Sequence, residues 1–167
     1  MIAPRLFSMT VLLAALVATD GALRAADTSG AKRIREIAEE FQEVGREFGV
    51  AAGQTIADNS QAKLDNVRLR YVDCMLKFHE IKAEAPKIDL DDSSEGKSLR
   101  IAFERWLKTQ IENMQTAGLD YIVICEDSDL TSTERKDALL GLVDKQVKSE
   151  QANNERLTAA LEAYENR

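Results

Sequence analysis

The sequence predicts an all-α protein: an antiparallel bundle of about four long helices, a single domain behind a cleaved signal peptide. Three observations carry this expectation. Apolar residues recur at alternating spacings of three and four through four separate stretches, which is the period of a helix with one buried side. Beyond residue 25 the chain holds one proline, Pro86, and is rich in Ala, Glu, Lys, Leu and Gln, which favour helix. Aromatic residues make up only 5% of the chain, which is poor material for strands.

At the N-terminus, Arg5 precedes an apolar run from Leu6 to Val17, and small residues follow as far as Ala25-Ala26. A positive start, an apolar core of about a dozen residues and a small-residue end make a secretory signal peptide. The run is shorter than the ~20 apolar residues that span a bilayer. Residues 1–25 are expected to be removed, with cleavage after Gly21 as the alternative, and residues 26–167 to act as a secreted protein, extracellular or periplasmic. No second segment is apolar for long enough to span a membrane. The net charge is −7, and losing Arg5, Arg24 and Asp20 with the leader leaves 20 basic and 28 acidic residues, a net of −8. Such an acidic balance disfavours nucleic acid and anionic lipid as partners, because phosphate binding needs clustered Lys and Arg.

The first helix is expected over about residues 31–57. Ile34, Ile37, Phe41, Val44, Phe48, Ala51 and Thr55 form its seam, and Glu36, Glu39, Glu40, Glu43, Arg46 and Glu47 cover the other side. Gly45, Gly49 and Gly53 each cost roughly 1 kcal/mol in a helix relative to alanine. Close packing is expected to repay Gly45 and Gly49, and fraying to explain Gly53. Asp58-Asn59-Ser60 breaks the pattern and is suited to cap the next helix.

The second helix is expected over about 60–84, stopping before Pro86. Its seam is Leu64, Val67, Tyr71, Cys74, Phe78 and Ile81. A second apolar row, Leu69, Val72 and Leu76, lies roughly a third of a turn away by the ~100° step per residue. A helix apolar on more than one side is buried from more than one side. This row is therefore the candidate partner face, either for a protein partner or for self-association. An acidic loop over 87–95 follows.

The third helix is expected over about 95–126, with Leu99, Phe103, Trp106, Leu107, Ile111 and Met114 on one face, continued by Ala117, Tyr121, Ile124 and Cys125. A rival reading breaks it at Gly118 and makes residues 121–125 a strand. Thr131-Ser132-Thr133-Glu134 matches a capping box and starts a last helix over about 131–165. Its coiled-coil-like seam is Leu140, Val143, Val147, Glu150, Asn154, Leu157, Leu161 and Tyr164. Glu150 and Asn154 are polar where the seam expects apolar residues. Either they fix register at some cost in stability, or the helix end projects into water.

Cys74 and Cys125 are the only cysteines. An even count in an exported protein points to a disulfide, and an unbroken third helix points against it. A tight hairpin around Pro86 would leave the two sulfurs offset by ~28 Å along the helices, far beyond the ~7 Å Cα limit of a disulfide. Compartment tips the expectation toward the bond.

His79 is the sole histidine, expected at the core edge beside Met75 and Val72. A Glu-x-x-His metal pair would need Glu at position 76, which is Leu76. The acidic stretches at 89–100 and 127–138 lack the glycine and closing glutamate of a calcium loop. No metal site, cofactor site or catalytic set is therefore expected, and the chain is not expected to be an enzyme. Tyr71, Phe103 and Trp106 are candidates for an apolar pocket between helices. The leading expectation is a secreted, non-catalytic binding protein that uses a helix face. The alternative is a carrier of a small apolar ligand in that pocket.

Overall fold

The computed structural model describes residues 29–167, so the leader expected over residues 1–25 lies outside the described residues. The described residues form four helices and no strand: α1 (Ser29–Gln54), α2 (Gln61–Glu84), α3 (Ser94–Glu126) and α4 (Ser132–Glu165). A short 3-10 turn, Ala85–Lys87, follows α2. The proline at its centre has no amide to continue the helical ladder. α3 runs through Gly118 without interruption, as the leading expectation had it, and the rival break with a strand at 121–125 is excluded. α1 ends three residues earlier than expected, at Gln54.

The helix starts follow from local chemistry. Thr131 and Glu134 form the capping box: the Glu134 amide donates to Thr131 Oγ1 at 3.3 Å, and the Thr131 amide donates to Glu134 Oε2 at 2.9 Å. Ser93 caps α3 by accepting from the Gly96 amide at 3.0 Å. Ser60 differs from expectation, because it makes no side-chain cap on α2. Its amide instead donates to Asp58 Oδ1 at 2.9 Å.

Cross-helix contacts give the directions. Arg33 meets Glu84 at 2.5 Å, Lys77 meets Glu40 at 2.7 Å and Arg70 meets Glu47 at 2.9 Å, so α1 and α2 are antiparallel. Trp106 with Asn154 and Asn113 with Glu150 make α3 and α4 antiparallel. Arg35 with Glu165 at 2.6 Å, and Arg135 with the Thr55 carbonyl at 3.4 Å, bring α4 back along α1. Arg68 reaches Glu126 at 2.7 Å between α2 and α3.

Two aromatic layers fill the middle. Phe41 stacks on Phe78 at 4.0 Å between centroids and meets Trp106 edge-on at 5.2 Å, with Phe103 6.1 Å beyond. Phe48 meets Tyr71 at 6.1 Å and Tyr121 at 5.6 Å. Phe41 and Phe48 are seven residues apart, so the layers lie ~10 Å apart along the axis.

The pairs differ in length. At ~1.5 Å per residue α3 and α4 run to ~50 Å, and α1 and α2 to under ~40 Å. The link from Ala85 to Ser93 folds into the space that this leaves, and Ile88 and Leu90 are buried there. Gly30 of α1 lies so close that an added Cβ would sit 2.0 Å from the Asp89 carbonyl oxygen. Gly96 of α3 is equally tight against Asp91. Asp91 accepts from Ser93 and pairs with Arg167, which also lies over the Tyr164 ring. The acidic stretch thus keeps Asp89, Asp91 and Asp92 exposed, as expected, while its two apolar residues, Ile88 and Leu90, join the core.

Candidate partner-binding face

α2 separates its residues as the pattern requires. Val67, Cys74, Phe78 and Ile81 are buried, with Leu64 and Tyr71 packed beside them. Leu69, Val72 and Leu76 point the other way and stand 56%, 50% and 59% exposed. Two α3 side chains, Leu119 and Val123, are likewise more than half exposed.

Gly118 brings these two helices together. A Cβ there would sit 2.6 Å from Tyr71 Cε2 and 2.9 Å from Met114 Sδ, so the glycine admits the tyrosine ring. Position 71 is thereby level with position 118, and Val72 is level with position 117. By the ~100° step per residue, Val72 and Leu119 both sit just outside the α2–α3 seam. Leu76 and Leu69, ~140° and ~160° around α2 from Tyr71, turn away from α3 and face outward, and Val123 follows Leu119 along α3. Ile101 is also exposed, but it lies ~27 Å from Leu119 along α3.

The pocket candidates divide between the two layers. Trp106 is fully buried and Phe103 nearly so, in the layer of Phe41. Tyr71 is partly exposed and lies in the layer of Phe48. Open space lies instead at the surface. A groove of about 460 Å³ runs between the end of α2 and α3, floored by Pro86, Leu107 and Ile111. A cleft of about 170 Å³ lies between α3 and α4, beside Asn113 and Gln146.

The disulfide expected between Cys74 and Cys125 is absent, since both are free and buried. Cys74 Sγ donates to the Val44 carbonyl at 3.1 Å, and Cys125 Sγ lies 3.9 Å from the Ala52 carbonyl. Those carbonyls are eight residues apart on α1, ~12 Å along the axis, which no disulfide spans. Burial pushes the Cys74 thiol up to about 12 and raises Cys125 as well, so neither is an activated thiolate. His79 is exposed rather than at the core edge.

Several buried polar groups were not singled out by the sequence pattern. Arg135 is 4% exposed, and its guanidinium donates to the carbonyls of Asp127 and Thr55, just past the C-terminal ends of α3 and α1, and of Leu130 in the turn before α4. Helix ends leave carbonyls without partners, so the arginine closes that end of the bundle. Along α3–α4, Tyr121 donates to Gln146 Oε1 at 3.3 Å and Asn113 to Glu150 Oε1 at 2.9 Å. Trp106 Nε1 donates to Asn154 Oδ1 at 2.8 Å, and Asn154 is 5% exposed. Asn154 is therefore paired inside the bundle, and the helix does not project into water there. Burial raises the Glu150 carboxyl above its ordinary range, opposed by the Asn113 and Gln110 amides.

Among the described residues no three His, Cys, Asp or Glu side chains gather as metal ligands do. Among them also, no helix is long and apolar enough to cross a membrane. No family model, no curated protein and no solved structure matches this chain.

Proposed function

We propose that this chain is an exported, non-catalytic helical protein that engages a protein partner through the outer side of α2. The observation that carries the reading is the row Leu69, Val72 and Leu76, each at least half exposed on a helix whose opposite side already fills the core. Contiguous apolar surface on a water-facing helix marks an interaction site more often than isolated apolar residues do. The carrier reading draws less support, because Trp106 packs against both Phe41 and Phe103 and all three are buried. Export rests on the leader pattern of residues 1–25.

The test is a photo-reactive amino acid placed at Val72, with the exposed α4 position Ala159 as control. Illumination in the fluid that bathes the source cells is expected to give one covalent adduct of discrete mass from position 72 and none from position 159. Absence of any adduct from position 72, or equal adducts from both, overturns the proposal. Recovery of the protein outside the cell, beginning after about residue 25, tests export; a full-length intracellular chain refutes it.

A further inference from the structure

We infer that the cleft between α3 and α4 binds a small zwitterion, a free amino acid of alanine's size, independently of the α2 face. Register supplies the first argument. Tyr121 bonds Gln146 and Asn113 bonds Glu150, which puts Lys145 level with positions 118 to 122 of the antiparallel α3. Asp120 therefore stands opposite Lys145, and both side chains line the cleft. Neither makes an ion pair among the described residues. A carboxylate and an ammonium held apart across a gap leave room for a ligand that answers each with the opposite charge. The gap holds about 170 Å³. That is close to the ~150 Å³ cavity that takes one benzene, a molecule of about six non-hydrogen atoms.

The uncommitted polar atoms supply the second argument. Gln146 is 6% exposed and lines the cleft; its Oε1 accepts from Tyr121 at 3.3 Å, which leaves Nε2 without a partner among the described residues. Asn113 spends its Nδ2 on Ser149 and Glu150, so Oδ1 is its free atom. The α4 wall thus offers donors, Lys145 Nζ and Gln146 Nε2, and the α3 wall offers acceptors, the Asp120 carboxylate and Asn113 Oδ1. A carboxylate suits the first pair and a primary ammonium the second, through charge-assisted hydrogen bonds. Ala117 lies between Asn113 and Asp120 at helical spacing; its methyl leaves the gap unfilled and, with Leu142, gives a small side chain an apolar wall. A plain anion would meet Asp120 on a chain of net charge −7, and a plain cation would meet Lys145. Among the described residues no aromatic ring lines the cleft, so nothing there favours a quaternary ammonium.

The probe is L-alanine, titrated into the isotope-labelled chain and followed by the side-chain amide NMR signals of Asn113 and Gln146. A saturable shift is expected. Binding should be at least about tenfold weaker for lactate, where a hydroxyl replaces the ammonium, and for ethylamine, which lacks the carboxylate. Asp120→Asn and Lys145→Met alter only exposed positions, and each is expected to weaken alanine at least about tenfold. Lys148→Met removes the same charge from an exposed position outside the cleft and should leave the affinity unchanged. Lactate or ethylamine binding as well as alanine shows that one charge suffices and overturns the zwitterion. Alanine binding that survives Asp120→Asn or Lys145→Met lies elsewhere and overturns the inference. Absence of a saturable shift overturns it too, and Asp120 and Lys145 then face only water across the cleft. The Val72 cross-link is read on a different helix, so the two proposals fail separately.

Discussion

Replacing Gly118 with alanine should reveal whether α2 is seated on α3 as described. The added methyl would lie 2.6 Å from Tyr71 Cε2 and 2.9 Å from Met114 Sδ, against an ordinary carbon contact of ~3.5–4.0 Å. Met114 is unbranched and yields readily; the ring is the obstacle. Helix propensity gains about 1 kcal/mol from the change, and overpacking costs about 1–3 kcal/mol. The net expectation is a loss of up to ~2 kcal/mol, by subtraction of those two effects. In a Tyr71→Ala background the obstacle is gone, and the same change should stabilise by about 1 kcal/mol. The coupling between the two sites, ~1–3 kcal/mol, is the quantity to measure. Gly141 calibrates the helix effect, since nothing lies within 4 Å of a Cβ there, and Gly141→Ala should stabilise in either background. Urea unfolding followed by circular dichroism gives the free energies, and each kcal/mol corresponds to about 4 °C in Tm for a domain of this size. If Gly118→Ala stabilises equally with and without the Tyr71 ring, the close seating of α2 on α3 is wrong.

Three further outcomes are expected. Protein unfolded without reductant should take two maleimide labels, and folded protein at pH 8 should resist labelling because burial holds both thiols protonated; no label on the unreduced, unfolded chain would restore the disulfide. Asn154→Ala strands the Trp106 N–H in a fully buried site and should cost about 1–3 kcal/mol; in a Trp106→Phe background the loss should shrink by about 1 kcal/mol, and equal losses would argue against the bond. The folded pKa of Glu150 lies above its unfolded value, so its contribution is greatest below about 4.3 and is lost as pH rises through the folded value. Glu150→Gln should therefore gain more over wild type at pH 8 than at pH 4, and a pH-independent difference would refute a buried carboxyl.

The four helices were legible because period and caps agree: Thr131 and Glu134 announce α4 before any packing is considered. Several features were not legible, each for a physical reason. Gly118 reads as a breaker in isolation, since its purpose is set by a tyrosine on another helix. The cysteines depend on register: with 71 level with 118, Cys74 is level with about position 115, ~15 Å from Cys125 rather than ~28 Å. A tight hairpin around Pro86 overstated the offset, and the prior for exported proteins outweighed an axial argument that still forbade the bond. Ile88 and Leu90 sit among carboxylates, so composition marked the link as solvated while its two apolar residues packed inward. On α4 the period placed Leu140 in the seam, whereas Leu139 is fully buried and Leu140 only partly. The seam also takes in Arg135 and Gln146, which a hydrophobic pattern does not register. At the candidate face the apolar row of α2 was readable, but Leu119 is placed beside Val72 only once the seating of Tyr71 is known.

The unequal rods have a last consequence. In most helical hairpins the connector is slack, and its length drifts freely. Here the stretch from Ala85 to Ser93 is a keystone, wedged between the first turn of α1 and the first turn of α3. Adding or removing residues in it would unseat Ile88 and Leu90 and uncork one end of the barrel of helices. The turn at 127–131 caps the other end, where Arg135 gathers its carbonyls. Tolerance to insertion should therefore be sought between α1 and α2, around Asp58, where the chain is exposed.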